Sequence, residues 1–324
     1  MSLTMFLGGV QEGFFYALLA MGVFISFRIL NTPDLTTEGS YTLGVAVSAV
    51  LTVAGHPVLG ILCAFLTGLL AGSVTGVLQT KVGIHPILAG ILTMSGLYTI
   101  NTAIMGGRPD VTLSQPTVFQ RLYETFHLTS PKLSDFGGDR NAWALAKETV
   151  NLNKELVALT VGAVLAAFVL LALIWFFRTH VGLCIRATGN NEAMVRSSSI
   201  NAGGMKILGL AVANGCTALA GGVMTQSAGF ATISNGSGVL VVGLASVIIG
   251  EALVGRRSVT IGLMSVILGS VVYQCLIRLA TSLNFFPAYY LKLVSAVIVA
   301  IALALPMIRE GIARYQRKGG ARHA

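Results

Sequence analysis

Charge is what this sequence most lacks. Asp, Glu, Lys and Arg together supply 10% of 324 residues, against 54% for the apolar set AVILMFWYC. Soluble domains carry about 25% charged residues, so a water-soluble fold is excluded by composition, and the mean hydropathy of +0.80 agrees. Catalytic equipment is equally scarce. The five histidines, His56, His85, His127, His180 and His323, are scattered, and no HExxH, GxSxG or intramembrane carboxylate pair occurs. There is no GxxxxGK[ST] loop, so this chain does not bind ATP in the P-loop manner. Cysteine is sparse: Cys63, Cys216 and Cys275 lie in apolar runs and Cys184 in a basic loop, without CxxC or Cys/His spacing. Neither a disulfide framework nor a metal site is indicated, and no cofactor is expected.

What is present is long apolar runs. About 20 apolar residues span a bilayer as a helix, and nine stretches come close: 5–28, 36–54, 58–79, 86–106, 155–177, 205–225, 239–254, 259–280 and 291–309. The fold class expected is an all-α, polytopic membrane bundle with about nine crossings. The first run lacks a positive n-region and an A-x-A site, so it reads as a retained anchor. The second and seventh runs are short and flecked with polar residues, which predicts broken or tilted helices. Irregular backbone at membrane depth must line a cavity or be buried in protein, which singles out Pro33–Gly44 and Gly236–Gly255.

The net charge of +9 is distributed as an orientation signal. Arg309, Arg314, Arg317, Lys318 and Arg322 place the C-terminus in the cytoplasm by the positive-inside rule. Nine crossings then put Arg28, Lys81, the 178–206 loop and Arg256-Arg257 on the same side, 13 of the 21 basic residues in all. The N-terminus falls outside. The 107–154 stretch carries Asp110, Glu124, Asp135, Asp139, Glu148 and Gly137-Gly138 and is too polar for lipid. It reads as an extracytoplasmic cap with helices over about 115–128 and 140–150, and as a possible docking surface for a soluble partner.

Ionisable groups at membrane depth are functional candidates by default. Glu12 lies near the outer interface. Asp34 fits a cap for the second run, whose N-terminus favours acids. Glu38, one turn further in, is placed to face a passage, and Glu251 is close enough to Arg256-Arg257 for an ion pair. Among neutral polar residues, Thr93, Ser95 and Asn101 punctuate the fourth run, and Asn214, Thr217 and Gln226 the sixth; helix–helix adhesion competes with substrate contact at each. The passage candidates are Glu38, Thr93, Asn101 and Asn214.

The most informative stretch is the loop 178–206. Gly189 predicts a break, Asn190 an N-cap, Glu192 a dipole-favoured acid, and the short helix runs to about Ser199 before Asn201–Gly204 stops it. A short capped helix between two spans is a poor anchor and a good lever. A loop that only sets topology is the competing reading.

Gly182-Leu-Cys-Ile-Arg-Ala-Thr-Gly-Asn-Asn-Glu-Ala193, Ile200-Asn201 and Ala218-Leu-Ala-Gly-Gly222 resemble the permease subunits of ABC importers, in the branched-chain amino acid and ribose branch. Pro33-Asp-Leu-Thr-Thr-Glu-Gly-Ser-Tyr-Thr-Leu-Gly44, Leu88-Ala-Gly-Ile-Leu-Thr-Met94 and Gly243-Leu-Ala-Ser-Val-Ile-Ile-Gly-Glu251 match the same branch in order. The likeness covers nearly the whole chain except 107–154, and is strongest toward uncharacterised permeases associated with tryptophan or tyrosine uptake. Ser199 departs from the glycine usual before Ile-Asn, which affects how the short helix ends.

The resemblance implies one transmembrane permease domain over 1–324, with 178–206 as the cytoplasmic coupling loop. Its coupling residues would be Arg186, Thr188, Gly189, Asn190, Asn191, Glu192 and Ala193, seated in a separate ATPase chain. It implies a second permease copy, an extracytoplasmic binding protein, a bacterial inner-membrane location and inward movement of a small polar solute, with an aromatic amino acid favoured over a sugar or nucleoside. The chain itself would be no enzyme. An ion-coupled transporter using Glu38 and Glu251, or a structural subunit without a passage, are the rival readings; inverted repeats would support the former, and only a faint echo links 87–96 to 239–248.

Overall fold

The computed structural model describes residues 3–128, 140–255 and 258–282, with 293, 296, 297 and 300 beyond them. Most of the ninth expected run, Arg256-Arg257 and the basic tail therefore lie outside the described residues. Helices dominate. α1 (Leu3–Phe24) passes into a π-helical turn (Ile25–Ile29), followed by α2 (Thr36–Val53), α3 (Pro57–Thr80) and α4 (Pro86–Ile104). After β1 (Asp110–Thr112) come α5 (Val118–Thr125), α6 (Arg140–Arg178), α7 (His180–Asn190), α8 (Glu192–Ser197) and α9 (Ala202–Ala228). Then follow β2 (Phe230–Thr232), a 3₁₀ turn (Ile233–Gly236), α10 (Val239–Val254) and α11 (Val259–Ser282).

Local chemistry sets these limits. Pro57 and Pro86 open α3 and α4, where a missing N–H costs nothing. Thr117 and Gln120 form a capping box on α5, and Asn201 caps α9, which stops at Gly229 with φ 75°.

Seven helical stretches are long and apolar enough to cross a membrane: Thr4–Ile29, Pro57–Thr80, Pro86–Ile104, Arg140–Arg178, Ala202–Ala228, Ile233–Val254 and Val259–Ser282. This is a multi-pass membrane fold. Among the described residues the expected nine crossings become these seven and α2, which is the centre of the bundle and not a lipid-facing span. Of the broken or tilted helix expected there, the break is absent: α2 is continuous, and Thr36, Ser40 and Ser48 bond partners on α3 and α9. Between helices in lipid, close packing and hydrogen bonds replace the hydrophobic drive. Gly44 shows the closeness: a methyl there would run into the Ala218 carbonyl of α9.

α1 runs through the apolar centre, with Phe15, Leu18, Leu19 and Met21 at 0–1% exposure, packed by α11, α6, α9 and α10. Lipid-facing stripes run along α3 (Val58, Leu62, Leu66, Leu70, Val74) and α6 (Val164, Phe168, Leu171, Trp175), all exposed.

α6 has 39 residues, about 58 Å at 1.5 Å per residue, against a hydrocarbon core of about 30 Å. The helix expected over 140–150 is therefore the first turns of the fifth span, projecting beyond the bilayer. α5 accounts for the helix expected over 115–128, and 129–139 lie outside the described residues. At the same end β1 pairs antiparallel with β2, Val111 opposite Ala231. This is the ribbon end; the turns at Arg28, Lys81 and α7–α8 form the opposite, elbow end.

Candidate functional site

Four constellations carry the polar chemistry. The first is the elbow. α7 runs unbroken through Gly189 to Asn190, and the cap of α8 is Asn191, whose side chain accepts from Met194 N at 3.0 Å. The cap expected at Asn190 is thus found one residue later, at Asn191. Gly189 is there for contact, since a Cβ would strike the Ile29 carbonyl, which seats α7 on the end of α1. Thr188 is buried and bonds the Cys184 carbonyl at 2.7 Å. Glu192 accepts from Arg196 at 2.7 Å and from Lys206 of α9 at 2.5 Å. Those bonds, Lys206 first, hold its carboxyl below the usual carboxylate range. Val195 is buried, while Asn191, Ala193, Met194 and Arg196 are exposed. The elbow is thus pinned to α1 and α9 on one side and bare on the other. Ser199 ends it at φ 60°, a left-handed conformation that glycine adopts freely.

The second is a small cleft of about 290 Å³ beside the elbow, lined by Arg186 and Asn190 of α7, Arg28, Glu251 and Ser258. Arg28 donates to Glu251 at 2.6 Å, tying the end of α1 to α10. The expected partners, Arg256-Arg257, lie outside the described residues; the bond to Arg28 spans 223 residues and leaves no local trace in sequence. Glu12 likewise pairs with Arg278 near the ribbon end.

The third is a buried seam between α2 and α9. The N-cap of α2 is Leu35, not the expected Asp34; Asp34, one residue earlier, accepts from Thr36 N at 2.9 Å and also from Asn214 Nδ2 at 2.6 Å. Asn214 in turn accepts from Ser40 Oγ at 2.7 Å and donates to the Leu210 carbonyl at 3.0 Å. Further along, Gln226 donates to Ser48 and Thr52 and accepts from Val118 N. Apart from the half-buried Val118, each of these groups is buried. Of the four passage candidates, Asn214 belongs to this seam, and Thr93 is buried with its hydroxyl on the Ala89 carbonyl of its own helix.

The remaining two candidates meet in the fourth constellation. Glu38 and Asn101 line a cleft of about 570 Å³ with Gly39, Thr42, Met94, Tyr98, Ile233 and Ser237. Here the chain descends from β2 through the 3₁₀ turn onto α2, where Gly236 fits flush against Thr42 and the Glu38 carbonyl. α10 then begins at Gly238, φ 84°, whose N–H donates to Glu38 Oε1 at 3.0 Å. Asn101 is 1% exposed. Its Nδ2 donates to the Gly39 carbonyl at 3.2 Å, and its Oδ1 has no partner. The adjoining face of α4, with Ser95, Tyr98, Thr99 and Thr102, is exposed although polar.

Comparison with known proteins decides the family. The profile of the branched-chain amino acid transport system permease component matches residues 5–303. The chain belongs to this permease family. The permease is 34% identical over 296 residues, 91% of its own length and 89% of the relative's, to a tyrosine transport system permease protein of Clostridioides difficile (strain R20291). It is 28% identical over 209 residues, 64% of its length and 63% of the relative's, to an uncharacterized protein of Rickettsia prowazekii (strain Madrid E). No solved structure matches it. The family resemblance read from the motifs therefore holds, and the chain is a transport component of an amino acid permease type.

Proposed function

We propose that the permease imports a small polar solute, an amino acid with the aromatic type favoured, by alternating access powered by ATP hydrolysed on a separate chain. The observation that carries this reading is the elbow. A rigid-body push on the exposed face of α8 has two routes into the bundle: Gly189 against the end of α1, and Val195 with the Glu192–Lys206 pair against α9. Coupling of this kind biases a two-state rocking of helices. Arg186, Thr188, Gly189, Asn190, Asn191, Glu192 and Ala193 are the residues assigned to it, with Thr188 and Gly189 holding the lever and the exposed ones meeting the ATPase.

In this reading the elbow end is cytoplasmic, the N-terminus extracytoplasmic and the membrane a bacterial inner membrane. Arg28, Lys81, Arg178, Arg186, Arg196 and Lys206 gather at the elbow end, in keeping with the positive-inside rule. The single permease domain places 178–206 in the cytoplasm and 107–154 outside, where a binding protein docks on the ribbon end. A second copy covers the polar exposed face of α4, so that Glu38 and Asn101 border a shared passage. Asn214 and Thr93 then act as its frame. The name of the Clostridioides relative supports an aromatic substrate.

The test is uptake of labelled L-tyrosine into proteoliposomes holding the permease, its ATPase and its binding protein. Uptake that requires ATP and survives proton and sodium ionophores supports the reading. Uptake abolished by ionophores and independent of ATP overturns it in favour of an ion-coupled carrier.

A further inference from the structure

α10 is built as a rod between two joints. It starts after Gly238, φ 84°, and ends at Gly255, φ 88°, and a side chain at either glycine would meet nothing within 4 Å. Left-handed backbone is open to glycine at no steric cost. Along its length the rod is locked to its neighbour. A methyl at Gly250 would strike the Ser265 carbonyl of α11, and one at Gly269 the Ser246 carbonyl of α10. Backbones this close are the packing that holds helices together in lipid, and they make α10 and α11 one body.

A relay joins that body to the elbow. Gly189 of α7 rests on the Ile29 carbonyl. Ile29 closes the π-helical turn Ile25–Ile29, a form of helix found frequently at functional sites. Arg28, on the same turn, donates to Glu251 at 2.6 Å, and the Glu251 side chain is only 8% exposed. The pair borders the cleft of about 290 Å³ that Arg186 and Asn190 of α7 also line, which leaves the elbow space to shift against it. At the far end of the rod the Gly238 N–H donates to Glu38 Oε1 of α2 at 3.0 Å.

We infer that Arg28 and Glu251 are a positioning pair that carries the elbow's stroke into α10, and through Gly238 to Glu38. The inference rests on the import reading for the source of the stroke. Van der Waals contact, as between Gly189 and Ile29, resists compression and holds only weakly against separation. A charge-assisted bond resists both, so the pair lets the elbow pull α10 back as well as push it.

Spin labels at Leu183 of α7 and Leu253 of α10, 50% and 61% exposed, read the joint in the purified permease without its partners. The distance distribution should be narrow in otherwise wild-type protein and at least twice as wide in Arg28→Gln and in Glu251→Gln. It should narrow again when the charges are exchanged, Arg28→Glu with Glu251→Arg. Equal widths throughout overturn the inference. In the reconstituted complex each Gln variant should lower tyrosine uptake per ATP hydrolysed at least fivefold, with KM for tyrosine and ATP hydrolysis in its absence unchanged. The double Gln variant should lose no more than either single one, since the two act as one joint. The exchanged pair and Arg28→Lys should each keep at least half of the wild-type ratio. Unchanged uptake per ATP, losses that multiply in the double variant, or an Arg28→Lys loss as large as that of Arg28→Gln overturn the inference and leave ATP-driven import standing. Wild-type uptake that needs no ATP, with widths responding as expected, sinks the import reading and keeps the joint.

Discussion

Asn214 offers the sharpest test of how the bundle is held. Its amide sits between Asp34 and Ser40 of the central strand of chain, 1% exposed, with a 2.6 Å bond to the carboxylate and a 2.7 Å bond from the hydroxyl. Asn214→Ala removes both, with the bond to the Leu210 carbonyl, and leaves the buried Asp34 carboxyl its bond from Thr36 N. A charge-assisted bond contributes about 1.5–3 kcal/mol and a neutral one about 0.5–1.5. Interhelical bonds in membranes average nearer 0.6 kcal/mol, because the unfolded chain in lipid finds other partners. With two bonds converging on one amide, one of them ionic, the expected loss is about 2–3 kcal/mol. It should be read by SDS titration of the purified protein in mixed micelles, beside the Asp34→Ala and double variants. The cycle should return a coupling of at least 1 kcal/mol, and surviving Asn214→Ala protein should keep its KM. A loss under about 0.5 kcal/mol together with a raised KM would refute the reasoning and move Asn214 into the passage.

Other outcomes follow from the same geometry. Ser199→Gly should stabilise the end of α8 by about 0.5–1 kcal/mol, since a left-handed residue other than glycine costs roughly 1–2 and glycine's extra chain freedom returns part of that; slower amide exchange over 192–200 is the check. Gly44→Ala should cost about 3 kcal/mol or prevent folding, because the methyl meets backbone rather than a movable side chain, and thermal unfolding in detergent measures it. Glu192 has its carboxyl held low by Lys206 and Arg196, so its contribution is present above the ordinary carboxylate range and fades as pH falls through the lowered value. Amide exchange of α8 should accelerate on acidification in the wild type, and Glu192→Gln should flatten that response. Ala193→Pro should leave α8 formed, as the second helical position needs no N–H bond, whereas Val195→Pro removes the bond to the Asn191 carbonyl and should release the helix.

The long apolar runs were legible because lipid demands length and little else, and eight of the nine coincide with helices among the described residues. The nature of α2 was not. Its Thr and Ser residues read as interruptions, yet several are matched across the bundle, as Thr36 is by Thr75 of α3 at 2.8 Å and Ser40 by Asn214 of α9 at 2.7 Å. α6 hid its length because Lys147, Glu148, Asn151 and Lys154 interrupt the hydropathy without interrupting the helix. At the elbow, Asn190 and Asn191 both suit a cap, and only the contact of Gly189 with α1 decides between them. Arg28–Glu251 and Glu12–Arg278 were beyond sequence, joining residues 223 and 266 apart. Polar type alone named Glu38 and Asn101; that they share a cleft required the fold.

The most direct test is a photo-crosslinking residue in place of Met194, which is 57% exposed on the outer face of α8. In membranes holding the assembled transporter, illumination should join the permease to its nucleotide-hydrolysing subunit, with a yield that changes when ATP is trapped. Adducts formed only with the extracytoplasmic binding protein, or none in a complex that still transports, would contradict the account.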